Sequence, residues 1–156
     1  MSDPQLPGAI ADALQRLRTH VVQVPVNVLG LSDEELTKKA PGKWSSKEIL
    51  GHLIDSAVNN LKRFTDAQFT EEAYLIQGYN QDKLVIVNHY QSIPLAHLIA
   101  LWRSLNEQIL YVAESMTSET LTHPIRFGQP DKPESTLGWL INDYVAHLEH
   151  HLKTLL

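Results

Sequence analysis

The sequence predicts an all-α fold, an up-down-up-down four-helix bundle with short extra helices in the connections. Three observations predict it. Four long stretches repeat apolar residues at helical spacing, the starts of the last three carry start signals, and no stretch reads firmly as a strand. The 156 residues are read as a single domain, 1–156, long enough to bury a core.

The first long helix is expected from about Leu6 to Leu29. Leu6, Ile10, Ala13, Leu14, Leu17, Val21, Val24 and Val28 form its apolar stripe. Pro25 lies inside it and predicts a kink or an early end, because proline removes a backbone donor. Ser32 then opens a short helix, with Glu35 at the third helical position of a capping box.

The second long helix has the clearest start. Pro41 and Gly42 punctuate the loop before it, Ser45 is the N-cap, and Glu48 completes a capping box. Trp44 and Ile49 stand at the positions of a hydrophobic staple. The helix is expected to reach about Gln68, with Ile49, Leu50, Leu53, Ala57, Leu61 and Phe64 facing the core. Asp55 is assigned to its solvent side.

Residues 70–93 are less regular. Gln81 to His89 is read as a short helix, although Leu-Val-Ile-Val within it also suits a strand. Ser92 and Pro94 start the third long helix, which runs to about Met116 on a stripe that includes Leu98, Trp102, Leu105 and Ile109. Residues 117–135 hold three prolines and a glycine and are read as a long connection. The fourth long helix begins near Ser135 or Thr136 and reaches the C-terminus, on a stripe through Leu137, Leu140, Tyr144, Leu148, His151 and Leu155. Trp102, Trp139 and Tyr144 are assigned to the core.

Composition excludes several functions. With 13 basic and 18 acidic residues the net charge is −5, which argues against nucleic-acid binding. There is no cysteine, so disulfides, a cysteine nucleophile and thiolate-held metal are all ruled out. No apolar run is long enough to span a membrane, and the N-terminus lacks the pattern of a signal peptide; a cytoplasmic location is expected. Serines lack a Gly-x-Ser-x-Gly context, and the glycines form no phosphate loop.

The eight histidines are the compositional oddity. Near the C-terminus, His147 and His151 are one turn apart, as are His147 and His150. Angles separate the two pairs. At about 100° per residue, His151 lies roughly 40° from the centre of the apolar stripe, His147 roughly 80° and His150 roughly 140°. His150 therefore faces solvent, while His147 and His151 border the core in the manner of His-x-x-x-His zinc helices. Two imidazoles rarely make a tight site. His52, beside Ile49 and Leu53 on the second long helix, is the best third donor. Its side of that helix continues through Ser56, Asn59, Asn60 and Arg63, a polar strip suited to lining a cavity. Hydrogen-bonded histidines at a helix end, favoured there by the dipole, are the competing structural explanation. His20 and His97 are assigned to the surface. His89 and His123 lie in connections, from which His123 could approach the site.

Residues 40–56, Ala-Pro-Gly-Lys-Trp-Ser-Ser-Lys-Glu-Ile-Leu-Gly-His-Leu-Ile-Asp-Ser, resemble the N-terminal signature of the DinB/YfiT-like superfamily, and residues 144–152, Tyr-Val-Ala-His-Leu-Glu-His-His-Leu, its C-terminal signature. The resemblance implies a four-helix bundle with one divalent metal ion, nickel or zinc, on His52, His147 and His151. It also implies a homodimer and a small-molecule substrate. Some members of the superfamily are transferases or isomerases that use an external thiol such as bacillithiol or mycothiol. The expected function is a metal-dependent enzyme, a low-molecular-weight-thiol S-transferase or else a hydrolase. A metal- or ligand-binding stress protein without turnover is the non-enzymatic alternative. Asn59, Asn60, Arg63 and Tyr144 are the expected pocket residues.

Overall fold

A computed structural model of the chain describes residues 7–156. Leu6, the expected start of the first stripe, lies outside them. The long helices are α1 (Gly8–Leu29), α3 (Ser46–Asp66), α5 (Leu95–Glu114) and α7 (Leu137–Leu155), with α2 (Asp33–Thr37), α4 (Gln81–Val87) and α6 (Ser118–Leu121) in the connections. Local capping chemistry starts several of them, although α1 and α5 begin after Pro7 and Pro94 without a side-chain cap. Ser32 and Ser45 both form complete capping boxes, with Glu35 and Glu48 respectively, and Thr136 caps α7 by accepting from the Trp139 N–H. Pro25 does not end α1, which continues through it to Leu29. The remaining apolar stripe of α1, Ile10 to Val28, is buried throughout.

The all-α bundle is as expected, but the helices do not alternate in direction. Gln91, just before α5, bonds to the Thr37 carbonyl and to Ser45, so α5 starts where α3 starts. After α5 ends, the Leu121 carbonyl lies against Gly138 at the start of α7, and Ile10 at the start of α1 touches the same glycine. Helix α7 runs antiparallel to α3, since His52 near the start of α3 meets His147 and His151 late in α7, while Phe64 near the end of α3 meets Tyr144 edge-on before the middle of α7. The long helices therefore run up, down, down, up. Helix α5 packs on α3 and α1, and α7 on the same two, leaving α1 diagonal to α3. The correction has a physical cause: residues 67–94 are long enough to carry the chain back along the bundle, so α3 and α5 can be parallel neighbours.

That crossover also forms sheet structure the sequence did not announce. Strand β1 (Tyr74–Leu75) pairs in parallel with β2 (Pro124–Arg126), and β2 pairs antiparallel with β3 (Ser135–Thr136). Strands this short have no periodicity of their own; remote pairing defines them. The core beneath is continuous, with Trp102, Phe64, Leu50, Leu53, Leu98 and Ile109 inaccessible or nearly so. Trp139 departs from expectation: it is 41% exposed, and its ring meets Phe127 edge-on.

Candidate metal centre

Helices α3 and α7 build the site because they are antiparallel neighbours. The first turns of α3 then lie beside the last turns of α7, and His52 faces His147 and His151. The Nε2 atoms of His52 and His147 are 3.2 Å apart. Ring centroids are 4.5 Å apart for His52 and His151 and 4.6 Å for His147 and His151. One donor nitrogen from each of the three falls within 4.8 Å of the others. Trp44 roofs the cluster, its ring 4.8 Å from that of His52 and 6.3 Å from that of His151. His52 is fully buried, while its two partners are half-buried.

Burial and mutual repulsion keep these rings neutral. His52 is pushed down to about 4, first by desolvation and then by His151 and His147. His151 is likewise pushed down to about 4, by desolvation and then by His147 and His150. His147 is lowered by burial, although the Asp143 carboxylate opposes the shift. Near neutral pH all three rings are therefore neutral, each with one unprotonated nitrogen able to bind a cation. The Nδ1 atom of His52 is buried with no partner. Three neutral imidazoles converging on one point suit a borderline divalent ion such as Zn²⁺ or Ni²⁺.

A cavity of about 180 Å³ opens beside His147, with Ser56, Asn60, Arg63, Tyr79, Asp143 and Tyr144 in its walls. Of the expected pocket residues, Asn60, Arg63 and Tyr144 line it. Asn59 does not; its amide turns back to donate to the Asp55 carbonyl at 2.8 Å. The Tyr144 hydroxyl donates to Asn106 Oδ1 at 2.5 Å, so its ring faces the cavity while its polar end is tied into the core. On the other side of the cluster a broader groove of about 390 Å³ runs past Trp44, Lys43, His150 and His151.

The other histidines do not join the cluster, although the His150 ring lies 5.4 Å from that of His151. His150 is exposed, as its angle requires, and so is His97. His20 is partly buried and bonds to Glu149 at 3.0 Å. His123 bonds to Thr70 at 3.1 Å and to the Glu72 carbonyl at 3.3 Å, far from any role as a fourth donor. Asp55 overturns its surface assignment. It is 5% exposed and accepts from the Tyr90 hydroxyl at 2.5 Å and the Asn88 amide at 3.2 Å. Tyr79 and Asp143 of the cavity gave no signal beyond their polarity.

Residues 9–155 match the DinB superfamily. The chain belongs to that superfamily. Among curated proteins it is 26% identical over 144 residues to an Oceanobacillus iheyensis protein named "Putative metal-dependent hydrolase", covering 92% of this chain and 81% of that one. A Bacillus cereus protein of the same name is 25% identical over 146 residues, covering 94% of this chain and 75% of the other. Among solved structures, Bacillus subtilis YfiT, described as a probable metal-dependent hydrolase with an unusual four-helix bundle topology, superposes with a TM-score of 0.81 at 22% identity. That match covers 97% of this chain and 87% of YfiT. A mycothiol-dependent maleylpyruvate isomerase matches at TM-score 0.68 and 13% identity, over 94% of this chain and 60% of its own. The superposition with YfiT over nearly the whole chain shows that this arrangement of helices is shared with that structure. Among the described residues no helix is long and apolar enough to cross a membrane.

Proposed function

We propose that this DinB-superfamily protein is a divalent-metal enzyme that activates a nucleophile taken from solution, with hydrolysis as its reaction. The convergence of His52, His147 and His151 carries the proposal. The names of its relatives support hydrolysis over other chemistry. A Zn²⁺ or Ni²⁺ ion bound there supplies Lewis acidity and keeps positions free for nucleophile and substrate. The protein does the rest. Trp44 covers the cluster on one side and fixes the His52 ring. The cavity beside His147 admits a small substrate. Asp143, one turn before His147 on the cavity wall, is the carboxylate placed to accept a proton from the nucleophile.

A second reading is transfer of a low-molecular-weight thiol such as bacillithiol. Two observations favour it: the chain has no cysteine of its own, and the cluster is flanked by two separate concavities, enough for a cosubstrate and an electrophile. Elemental analysis of protein loaded with zinc or nickel should give one ion per chain, and none in His147→Ala. Ester and amide turnover without added thiol would identify a hydrolase. Products formed only with thiol and an electrophile would identify the transferase, and no turnover in either assay would end the enzymatic reading.

A further inference from the structure

The cavity beside His147 has a charged end with no task in the chemistry above. Arg63 lies on α3 about three turns beyond His52. Its Nη2 donates to the Gln77 carbonyl at 2.6 Å, its Nη1 to Asn60 Oδ1 at 3.4 Å, and its plane covers the Tyr79 ring at 5.6 Å. These contacts hold the guanidinium still. They use two of its five N–H donors, and the described residues give it no further hydrogen bond and no ion pair. The Tyr79 hydroxyl, in the same wall, also makes no hydrogen bond among the described residues. An arginine held in place with donors to spare, beside the free Tyr79 hydroxyl, is built to receive a planar anion.

The walls limit what that anion can be. Arg63 is the sole cationic side chain lining the cavity besides His147, whose ring burial keeps neutral. Asp143 lines it too, and its charge disfavours an anion in its own vicinity. That leaves the Arg63 end. At about 180 Å³ the cavity is smaller than the ~300–1,000 Å³ typical of sites for drug-sized ligands. We propose that Arg63 and the Tyr79 hydroxyl form a carboxylate-binding subsite, so that the substrate is a small organic acid with its carboxylate on Arg63 and its reacting group towards His147. The orientation of the reacting group rests on the metal-enzyme reading; the subsite itself does not.

Succinate and its uncharged dimethyl ester are suitable probes. Both are titrated into metal-free and zinc-loaded full-length protein, following the Arg63 Nε–H resonance by NMR and the affinity by calorimetry. The expected result is an Arg63 resonance that moves with succinate and not with the ester, in both forms of the protein. The preference for the acid should be at least about tenfold, fall to near unity in Arg63→Gln, and persist in large part in Arg63→Lys. Zinc uptake should be unchanged in both variants. An unmoved Arg63 resonance, or a preference that survives Arg63→Gln in metal-free protein, would overturn the subsite. The two ideas fail separately: a moving resonance without zinc uptake would remove the metal centre alone, and zinc uptake with an unmoved resonance would remove the acid subsite alone. Should Arg63→Gln not fold, the wild-type resonance still decides.

Discussion

Two polar sides of α3, reached by residues one turn apart, behave differently. On the side towards α7, Ser56, Asn60 and Arg63 border a cavity, and His52, one turn before Ser56, keeps a buried nitrogen without a partner. On the side towards α4 and Tyr90, Asp55 is equally deep; its Oδ1 takes hydrogen bonds from Tyr90 and Asn88, while its Oδ2, like His52 Nδ1, is buried without a partner. Burial disfavours the charged form of both groups. It raises the Asp55 carboxyl, a shift that its two donors restrain, and lowers the His52 imidazole. The comparison teaches that depth alone does not mark a site. Nor does an unpartnered atom, which both groups have; the difference is that three donor nitrogens converge at His52, whereas Asp55 faces only donors that the chain supplies.

Four measurements would sharpen or break that contrast. The largest effect is expected from His52→Ala, which should cut zinc affinity at least ~100-fold, beyond what is usual for residues that only support a ligand. Equilibrium metal titration checks it, and near-normal affinity would make the cavity-facing side merely structural. Gly51→Ala should come next. A Cβ there would sit 2.1 Å from Cγ of Tyr90, and overpacking of this kind costs about 1–3 kcal/mol or more. Denaturant unfolding would register the loss, with zinc stoichiometry retained if the Tyr90 side is separate from the site.

The third is a pH dependence of metal-free protein. The folded values of His52 and His151 lie near 4, against 6.5 for a free imidazole. Between those limits the unfolded chain holds protons that the folded chain does not, so stability rises with pH. It should climb by about 2–3 kcal/mol for His52, with a smaller addition from the more solvent-exposed His151, between pH 4 and 6.5 and level off above. A flat profile would mean that the rings are solvated. The smallest effect is expected from Tyr90→Phe, which takes one donor from Asp55 and should cost about 1–2 kcal/mol in unfolding free energy while leaving zinc affinity within twofold.

What could be read from the sequence follows the range of the interactions. The Ser45–Glu48 box spans three residues and forms as expected, with the Glu48 N–H 3.1 Å from Ser45 Oγ. The separation of His147 and His151 from His150 needs only the pitch of a helix, and the exposures agree with it. Asp55 was misassigned because helical angles rank residues against one packed face. They carry no information that residues 81–90 return to cover a second one. The parallel course of α3 and α5 was lost for the same reason: a long connection permits either direction, and tertiary packing chooses. Arg63 was visible as part of a polar strip, but its clasp on Gln77 and Tyr79 depends on where a loop settles.

The contact between His52 and His147 joins points 95 residues apart along the chain. A cation shared by those rings would act as a removable cross-link over most of the polypeptide, binding the folded form and finding no matching set of donors in the unfolded one. Melting temperature would then climb with the logarithm of free zinc above its dissociation constant. A chelator would release not just a reactant but the clasp that ties the two halves of the chain.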